Sequence, residues 1–316
     1  MKKIGVAVIG IGFWGKNHAR VFNELPNTEL RAVCDINSDK AQSVSEKIGI
    51  KGYSNSGKMF RQEEIDAVSI CTWTTNLAIE AKKALKAGKH VLVEKPMANS
   101  VRQAKRIINV AEKNELHLMV GFIERFNPGV QHVKSEIEMG KIGTLVSATA
   151  RRVSQWPERI GDVGVVKDTA IHDIDIMRYF FAKNPIAVYA KVGNLRHKKF
   201  EDYAQIMLTF DDGKTAFIEA NWLTPYKIRN LLVTGSESII RLSYINQEIT
   251  IETAGQSLTP RHEWKEPLKL ELNHFANSII NNKEPLVTGI DGLEALKIAE
   301  SALKSATKSR AIKLSE

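Results

Sequence analysis

The chain has 316 residues, 43% of them hydrophobic and 26% charged, with a formal net charge of +9. That is room for one large or two ordinary globular domains with a sizeable core, and no apolar run approaches the ~20 residues that span a bilayer. The lysines are dispersed along amphipathic segments such as 80–89, and the densest run, Arg196-His197-Lys198-Lys199, is short and reads as a hairpin tip, so the charge does not indicate a nucleic-acid partner.

The two lysines and apolar run at the start imitate a signal peptide, but glycines break the run and no cleavage-like site follows, which makes the cytoplasm the expected location. Lys3 to Ile9 reads instead as a buried parallel strand. Gly10-Ile11-Gly12-Phe13-Trp14-Gly15 follows it at once and leads into a helical segment, Lys16 to Asn23. A G-x-G-x-x-G between strand and helix is the arrangement that dinucleotide binding demands. Gly10 permits the tight turn, Gly12 the approach of backbone to pyrophosphate, and Gly15 close helix–strand packing, with Phe13 and Trp14 in the same seat. The next strand, Leu30 to Cys34, ends at Asp35, where an acid receives the ribose hydroxyls. A phosphate at that ribose would be repelled by ~4 kcal/mol, taking unit charges about 4 Å apart at an effective dielectric of ~20. Asp35 therefore selects NAD over NADP, and the bland alternative is a helix cap. Cys34 and Cys71 both read as strand residues, too few for a disulfide framework or a zinc site.

Strands at Ala67 to Cys71, His90 to Val93 and His117 to Val120 alternate with helices at Leu77 to Ala87 and Val101 to Asn114. Such alternation implies an α/β fold with a doubly wound parallel sheet, a Rossmann domain over residues 1–121, with ligands at the carboxyl ends of the strands. Thr72 and Glu94-Lys95-Pro96 lie there. A lysine directly after an apolar strand projects into that crevice, so Thr72, Glu94 and Lys95 join the cofactor set; the bland reading of Lys95 is a surface turn.

After Gly121 the pattern changes to a helix, Val130 to Met139, and then runs of strand character: 145–153, 186–192, 203–210, 215–222, 229–234, 239–244 and 248–253. Asp211-Asp212-Gly213 is a hairpin signal. Residues 122–316 are thus expected to form a second domain with a mostly antiparallel sheet, closed by a helix, Gly292 to Lys308, that is able to pack back on the first domain.

Lys167-Asp168-Thr169-Ala170-Ile171-His172-Asp173-Ile174-Asp175 lies within this half. If Asp168 opens a helix, His172 and Asp175 share its face and Asp173 points elsewhere. With no second His/Cys cluster a metal is not expected, and the bland reading is an N-cap aspartate beside a structural histidine. The reading preferred is proton transfer, since a histidine of ordinary pKa about 6.5 takes a hydroxyl proton near neutrality and a carboxylate orients it.

Together, Gly10 to Gly15, Asp35, Glu94-Lys95-Pro96 and Asp168-x-x-x-His172-x-x-Asp175 resemble the glucose–fructose oxidoreductase/inositol dehydrogenase/MocA family over nearly the whole chain. The resemblance implies NAD-dependent oxidation of a CH–OH group, catalytic roles for Lys95, Asp168 and His172, and a C-terminal α/β domain over 122–316 that serves substrate and self-association, its open antiparallel sheet building a homodimer or homotetramer. Lysine's ordinary pKa, about 10.4, suits stabilisation of an alkoxide, and burial would instead make such a lysine the base. Two departures stand out: Trp73 and Leu77 replace a proline and a histidine common after the third strand, and Ala170 replaces a glycine. Residues 121–128 with Arg151-Arg152-Val153 and 156–165 resemble a nucleotide-sugar branch, the UDP-N-acetylglucosamine 3-dehydrogenases, which implies substrate contacts from Arg125, Asn127, Arg152 and Arg159. The rival expectations are an inositol or free-sugar dehydrogenase or reductase, and a non-catalytic NAD-binding regulator; the presence of both Lys95 and His172 argues against the last.

Overall fold

The computed structural model of the chain describes residues 3–157, 161–261 and 263–314. Two compact units divide it: Met1–Ile123 with Glu266–Leu293, and Glu124–Lys265 with Glu294–Glu316.

In the first unit the chain alternates strand and helix: β1 (Ile4–Ile9), α1 (Phe13–Glu24), β2 (Thr28–Cys34), α2 (Ser38–Ile48), β3 (Lys51–Tyr53), α3 (Ser56–Gln62), β4 (Ala67–Ile70), α4 (Thr74–Lys86), β5 (His90–Glu94), α5 (Val101–Lys113) and β6 (Leu118–Gly121). The six strands are all parallel in the order β3-β2-β1-β4-β5-β6. Every residue of β1, β4 and β6 is buried, because helices cover both faces, which is why these strands read as unbroken apolar runs. Strand order reverses between β1 and β4, and the carboxyl ends at such a reversal form the ligand crevice. The helices differ at their starts. Asn37, Asn55 and Ser100 cap α2, α3 and α5 by accepting a backbone N–H. Gly12 and Trp73, which begin α1 and α4 on either side of the reversal, supply no capping side chain.

The second unit carries α6 (Pro128–Glu138), β7 (Leu145–Val153), a single π turn (Val166–Ala170) that runs into α7 (Ile171–Phe181), then β8 (Ala187–Gly193), β9 (Tyr203–Thr209), β10 (Thr215–Asn221), β11 (Ile228–Gly235), β12 (Ile239–Ser243), β13 (Ile249–Glu252) and β14 (Ser257–Leu258). After α8 (Pro267–Ile280), α9 (Gly289–Lys308) leads to β15 (Ile312–Lys313). The nine-stranded sheet runs β14-β13-β12-β11-β7-β10-β9-β8-β15. It is antiparallel except where β10 lies parallel to β7, so it is mixed. Its strands alternate: in β7, Ala148, Ala150 and Arg152 are buried and Thr149 and Arg151 face outward. Helices α6 and α7 cover the inner face, while Phe217, paired with Thr149 on the other, is 45% exposed.

Helix α8 has no counterpart in the sequence reading, and it belongs to the first unit, where it packs on α1. Asn27 donates its amide to Asn273 at 2.9 Å and Asn277 at 2.8 Å, and Arg20 meets Glu266 at 2.5 Å. The chain thus leaves the first unit after Ile123 and re-enters it at Glu266, and α9 begins in that unit and continues in the other. Among the described residues no helix is long and apolar enough to cross a membrane.

Candidate active site

The first unit offers a dinucleotide seat made mainly of backbone. Gly10 has φ +89°, a left-handed conformation that favours glycine, and a Cβ on it would meet backbone atoms of Cys71 and Thr72 at 2.8 Å. A Cβ on Gly15 would lie 1.8 Å from the Gly10 carbonyl oxygen, so no other residue lets α1 start this close to β1. The uncapped N–H groups that follow Gly12 suit a diphosphate. Asp35 closes the seat: its carboxylate accepts the Ile11 N–H at 2.7 Å and the Asn37 N–H at 2.9 Å, and it stays half-exposed at the end of β2. These bonds fix the carboxylate beside the glycine turn and leave lone pairs for ribose hydroxyls. Phe13 and Trp14 are 70% and 40% exposed at the start of α1, and Trp73, the N-cap of α4, is 45% exposed. Leu77 is buried on α4, so the departure from histidine there adds to the core. The seat fits NAD: the glycines leave the space and the acid meets the ribose.

Glu94 ends β5 and Lys95 follows it directly. Glu94 is 9% exposed, and its carboxylate turns back to accept the Lys95 N–H at 3.2 Å. Lys95 itself is half-buried. Cys34 is buried, which pushes its thiol up to about 12, and Cys71 lies half-buried just past the end of β4.

In the second unit, Asp168 and Thr169 sit in the π turn and His172 in the first turn of α7. Asp168 does not cap a helix; its N–H donates to the Gly164 carbonyl at 2.9 Å, one turn earlier. The turn is anchored beneath. The Glu201 carboxylate packs against Gly164, where a Cβ would come within 2.2 Å of it, and accepts the Val166 N–H at 3.1 Å; burial pushes its pKa up. Lys167 donates to Glu300 at 3.1 Å. Trp222, buried at the end of β10, donates its indole N–H to the Thr169 hydroxyl at 3.0 Å, and that hydroxyl reaches Asp168 at 3.3 Å. Asp168 and His172 are part-exposed, whereas Ile171, Asp173, Ile174 and Asp175 are buried. This arrangement corrects the expected helix start: Asp175 is covered along with Asp173, and only Asp168 and His172 of the four share an accessible side.

The two covered acids explain the arginines. Arg125 grips Asp175 with both prongs, Nε at 2.7 Å and Nη2 at 2.6 Å, and lies over the Tyr179 ring. Arg152 donates to Asp173 at 2.7 Å and 3.1 Å and to Glu124 at 2.7 Å, under the Tyr244 ring. Burial alone would lower the Arg152 pKa, but Asp173 and Glu124 raise it well above its ordinary value. Asn127, 1% exposed, caps α6 and donates to the Tyr244 carbonyl. Arg125, Asn127 and Arg152 are thus framework beneath the active segment, a correction to their expected substrate contacts. The physical reason for Arg152 is register: it shares the inward face of β7 with Ala148 and Ala150. Arg159 lies outside the described residues.

Two cations were missed. Arg229 stands opposite Arg152 across the β7–β11 pairing, is 38% exposed, and reaches Glu124 at 3.6 Å. Burial and then the Arg152 charge lower its pKa. Lys227 is exposed at the head of β11, and the neighbouring Arg229 charge is the main cause of its lowered pKa. The alternation of β11 was a usable signal for Arg229; its nearness to Asp168, whose charge acts on it, was not. Among the described residues no group of three or more His, Cys, Asp or Glu side chains is placed to hold a metal ion.

Comparison with known proteins agrees with both halves. Residues 4–122 match the model of an oxidoreductase family with an NAD-binding Rossmann fold, and residues 130–241 match that of the GFO/IDH/MocA C-terminal domain. The chain is 29% identical to the scyllo-inositol 2-dehydrogenase (NAD(+)) of Bacillus subtilis, covering 96% of this chain and 94% of that one. It is 26% identical to the UDP-N-acetylglucosamine 3-dehydrogenase of Acidithiobacillus ferrooxidans, with 92% and 94% covered. An oxidoreductase from Agrobacterium radiobacter solved with NAD+, L-tartaric acid and magnesium shares the fold, with a TM-score of 0.92 at 21% identity over 99% and 98% of the two chains.

Proposed function

We propose that this chain, which belongs to the GFO/IDH/MocA family of NAD-dependent oxidoreductases acting on CH–OH groups, oxidises a ring hydroxyl of a UDP-linked N-acetylhexosamine at C3. NAD, held at Gly10 to Gly15 and Asp35 with Thr72 and the Glu94-Lys95 turn beside it, supplies the hydride acceptor. His172 takes the hydroxyl proton, and Asp168, tied to Thr169 and Trp222, orients the imidazole. Lys95 places a positive charge at the developing alkoxide. The observation that supports an anionic substrate is the cation pair Arg229 and Lys227. They stay part-exposed beside the active segment after Glu124 and Asp173 have neutralised Arg152, and an arginine fork suits phosphate oxygens.

A second reading has its own support. The inositol dehydrogenase relative is slightly more identical than the nucleotide-sugar one, and an inositol needs no phosphate site. One experiment separates them: NADH formation at 340 nm (about the nicotinamide absorbance maximum) with NAD and either UDP-N-acetylglucosamine or scyllo-inositol. The nucleotide-sugar reading expects turnover of the first only, and a loss of about 10²–10³-fold in Lys95→Ala, the size seen when one alkoxide-stabilising group is removed. Turnover of scyllo-inositol alone refutes it. We further place self-association on the outward face of the nine-stranded sheet around Phe217; a monomer in light scattering would remove that assignment.

A further inference from the structure

Beneath the glycine turn, α1 buries a histidine that the scheme above leaves without a role. His18 is fully buried, one turn into α1. Its Nδ1 lies 2.7 Å from the Ser69 hydroxyl on β4, and that hydroxyl is 3.7 Å from the Cys71 sulfur. Its Nε2 lies 3.3 Å from Glu94 Oε1. The last contact is an ion pair when the ring is protonated. Burial opposes a charge on this ring, but the Cys71 sulfur and the Glu94 carboxylate raise its pKa well above the ordinary value. A doubly protonated ring satisfies the geometry: one N–H donates to Ser69 and the other faces Glu94.

Glu94 is held on every other side too. Its second oxygen accepts the N–H of Lys95, and its first sits where Gly121 of the neighbouring strand has no side chain, since a Cβ there would come within 2.8 Å. The residue before the lysine is therefore clamped from α1, from β6 and from the lysine's own backbone. An exposed glutamate at a strand end would need none of this, and a core position would not hold a carboxylate.

We propose that His18 is a positioning residue: through its contact with Glu94 it fixes the backbone turn that presents Lys95. The inference rests on Lys95 acting at the reacting hydroxyl, and it couples the helix that seats the cofactor to the residue beside the chemistry. Neither His18→Leu nor Glu94→Gln removes a group that touches the substrate, so the expected defect is in how Lys95 is held.

The test labels lysines of the full-length protein with trinitrobenzenesulfonate, with and without saturating NADH, and reads Lys95 against exposed Lys86 by peptide mass spectrometry. In the wild type, NADH slows Lys95 labelling by about tenfold relative to Lys86, as expected for a ligand covering the site. In His18→Leu and in Glu94→Gln the protection falls to about two- or threefold, read at NADH concentrations that saturate each variant by fluorescence. The double variant is no worse than either single one, because both cut one contact. Protection at the wild-type level in both folded single variants, or losses that multiply in the double, overturns the proposal. If His18→Leu does not fold, His18→Gln takes its place in the same cycle with Glu94→Gln. A wild type whose Lys95 is labelled equally with and without NADH removes Lys95 from the site, and the positioning role with it; that outcome is distinct from intact protection that ignores His18.

Discussion

The two units build binding surfaces from opposite materials. The dinucleotide seat is made of backbone: a left-handed glycine, a glycine with no room for a Cβ, a helix start without a cap, and one aspartate. The active segment of the second unit stands on side-chain ion pairs, Arg125 with Asp175 and Arg152 with Asp173 and Glu124, all buried. A backbone seat is specified by consecutive residues, so it survives large changes elsewhere. An ion-pair floor needs partners from several elements at once, and each of those partners is a liability when the other is lost.

That contrast can be broken most directly at Arg152. Changing it to Met leaves Asp173 buried without its cation and Glu124 with the longer Arg229 contact at 3.6 Å, and a loss of roughly 3–5 kcal/mol of stability is expected, read by urea or thermal unfolding. A variant of unchanged stability but lost turnover would make Arg152 a substrate ligand after all, and the second unit would then bind by side chain rather than stand on it. A smaller effect is expected at Asp35, the carboxylate beside the glycine turn. Asp35→Ser should narrow the preference for NAD over NADP by about 10²-fold, most of the ~4 kcal/mol charge repulsion, measured as the ratio of the two dissociation constants. An unchanged ratio would mean that backbone alone discriminates, which sharpens the contrast further.

The smallest effect lies at the amino-terminal edge of the parallel sheet, at the opposite end of its strands from the glycine turn. His90 accepts the His117 N–H through Nδ1 at 3.0 Å and stacks on the His117 ring. Burial, and then the His117 charge, lowers its pKa to about 4. Between the ordinary value of about 6.5 and that lowered one, the unfolded chain binds more protons than the folded one, so stability falls as pH falls through the window. Because the ring is only half-buried the effect is modest, a melting-temperature loss of about 2–4 °C between pH 6.5 and 4, flattened in His90→Asn, which keeps an acceptor that does not titrate. An equal slope in the variant would assign the acid sensitivity to other groups.

The same contrast decided what the sequence disclosed. Gly10, Gly12, Gly15 and Asp35 are legible because strand, turn, helix and second strand follow one another, and each residue type has a single geometric reason. The strand–helix alternation disclosed the parallel sheet for the same reason. In the second unit Asp168 and His172 were visible as a local pattern, but what lies under them was not. Asp173 and Asp175 look like further members of the cluster until Arg152 and Arg125, on β7 and ahead of α6, are seen to cover them. Arg152 was partly legible: alternation in Ala148-Thr149-Ala150-Arg151-Arg152 assigns it to the inner face, and that rule favours Arg229 as the accessible guanidinium only once the neighbour of β11 is known. His18 gave no signal, since a histidine inside a helix becomes informative only when Ser69 and Glu94 are found beside it. Helix α8 went unread because its apolar positions are served by α1, which lies more than 200 residues earlier, roughly a domain's length away.

The return of the chain to α1 also bears on how the protein is made. Synthesis runs from the amino terminus at about 5–20 residues per second, and domains generally fold as they emerge. Here the nascent Rossmann sheet is complete once β6 leaves the ribosome, yet the flank of α1 that receives α8, with the amide of Asn27 and the guanidinium of Arg20, has to wait for residues 266–280. At those rates the wait is roughly 10–30 seconds, long on the timescale of domain folding. The first unit is thus begun early and finished late, and a chain cut after Gly121 would carry the entire glycine turn and Asp35 on a half-dressed helix, a species for chaperones to shield rather than a small cofactor-binding protein.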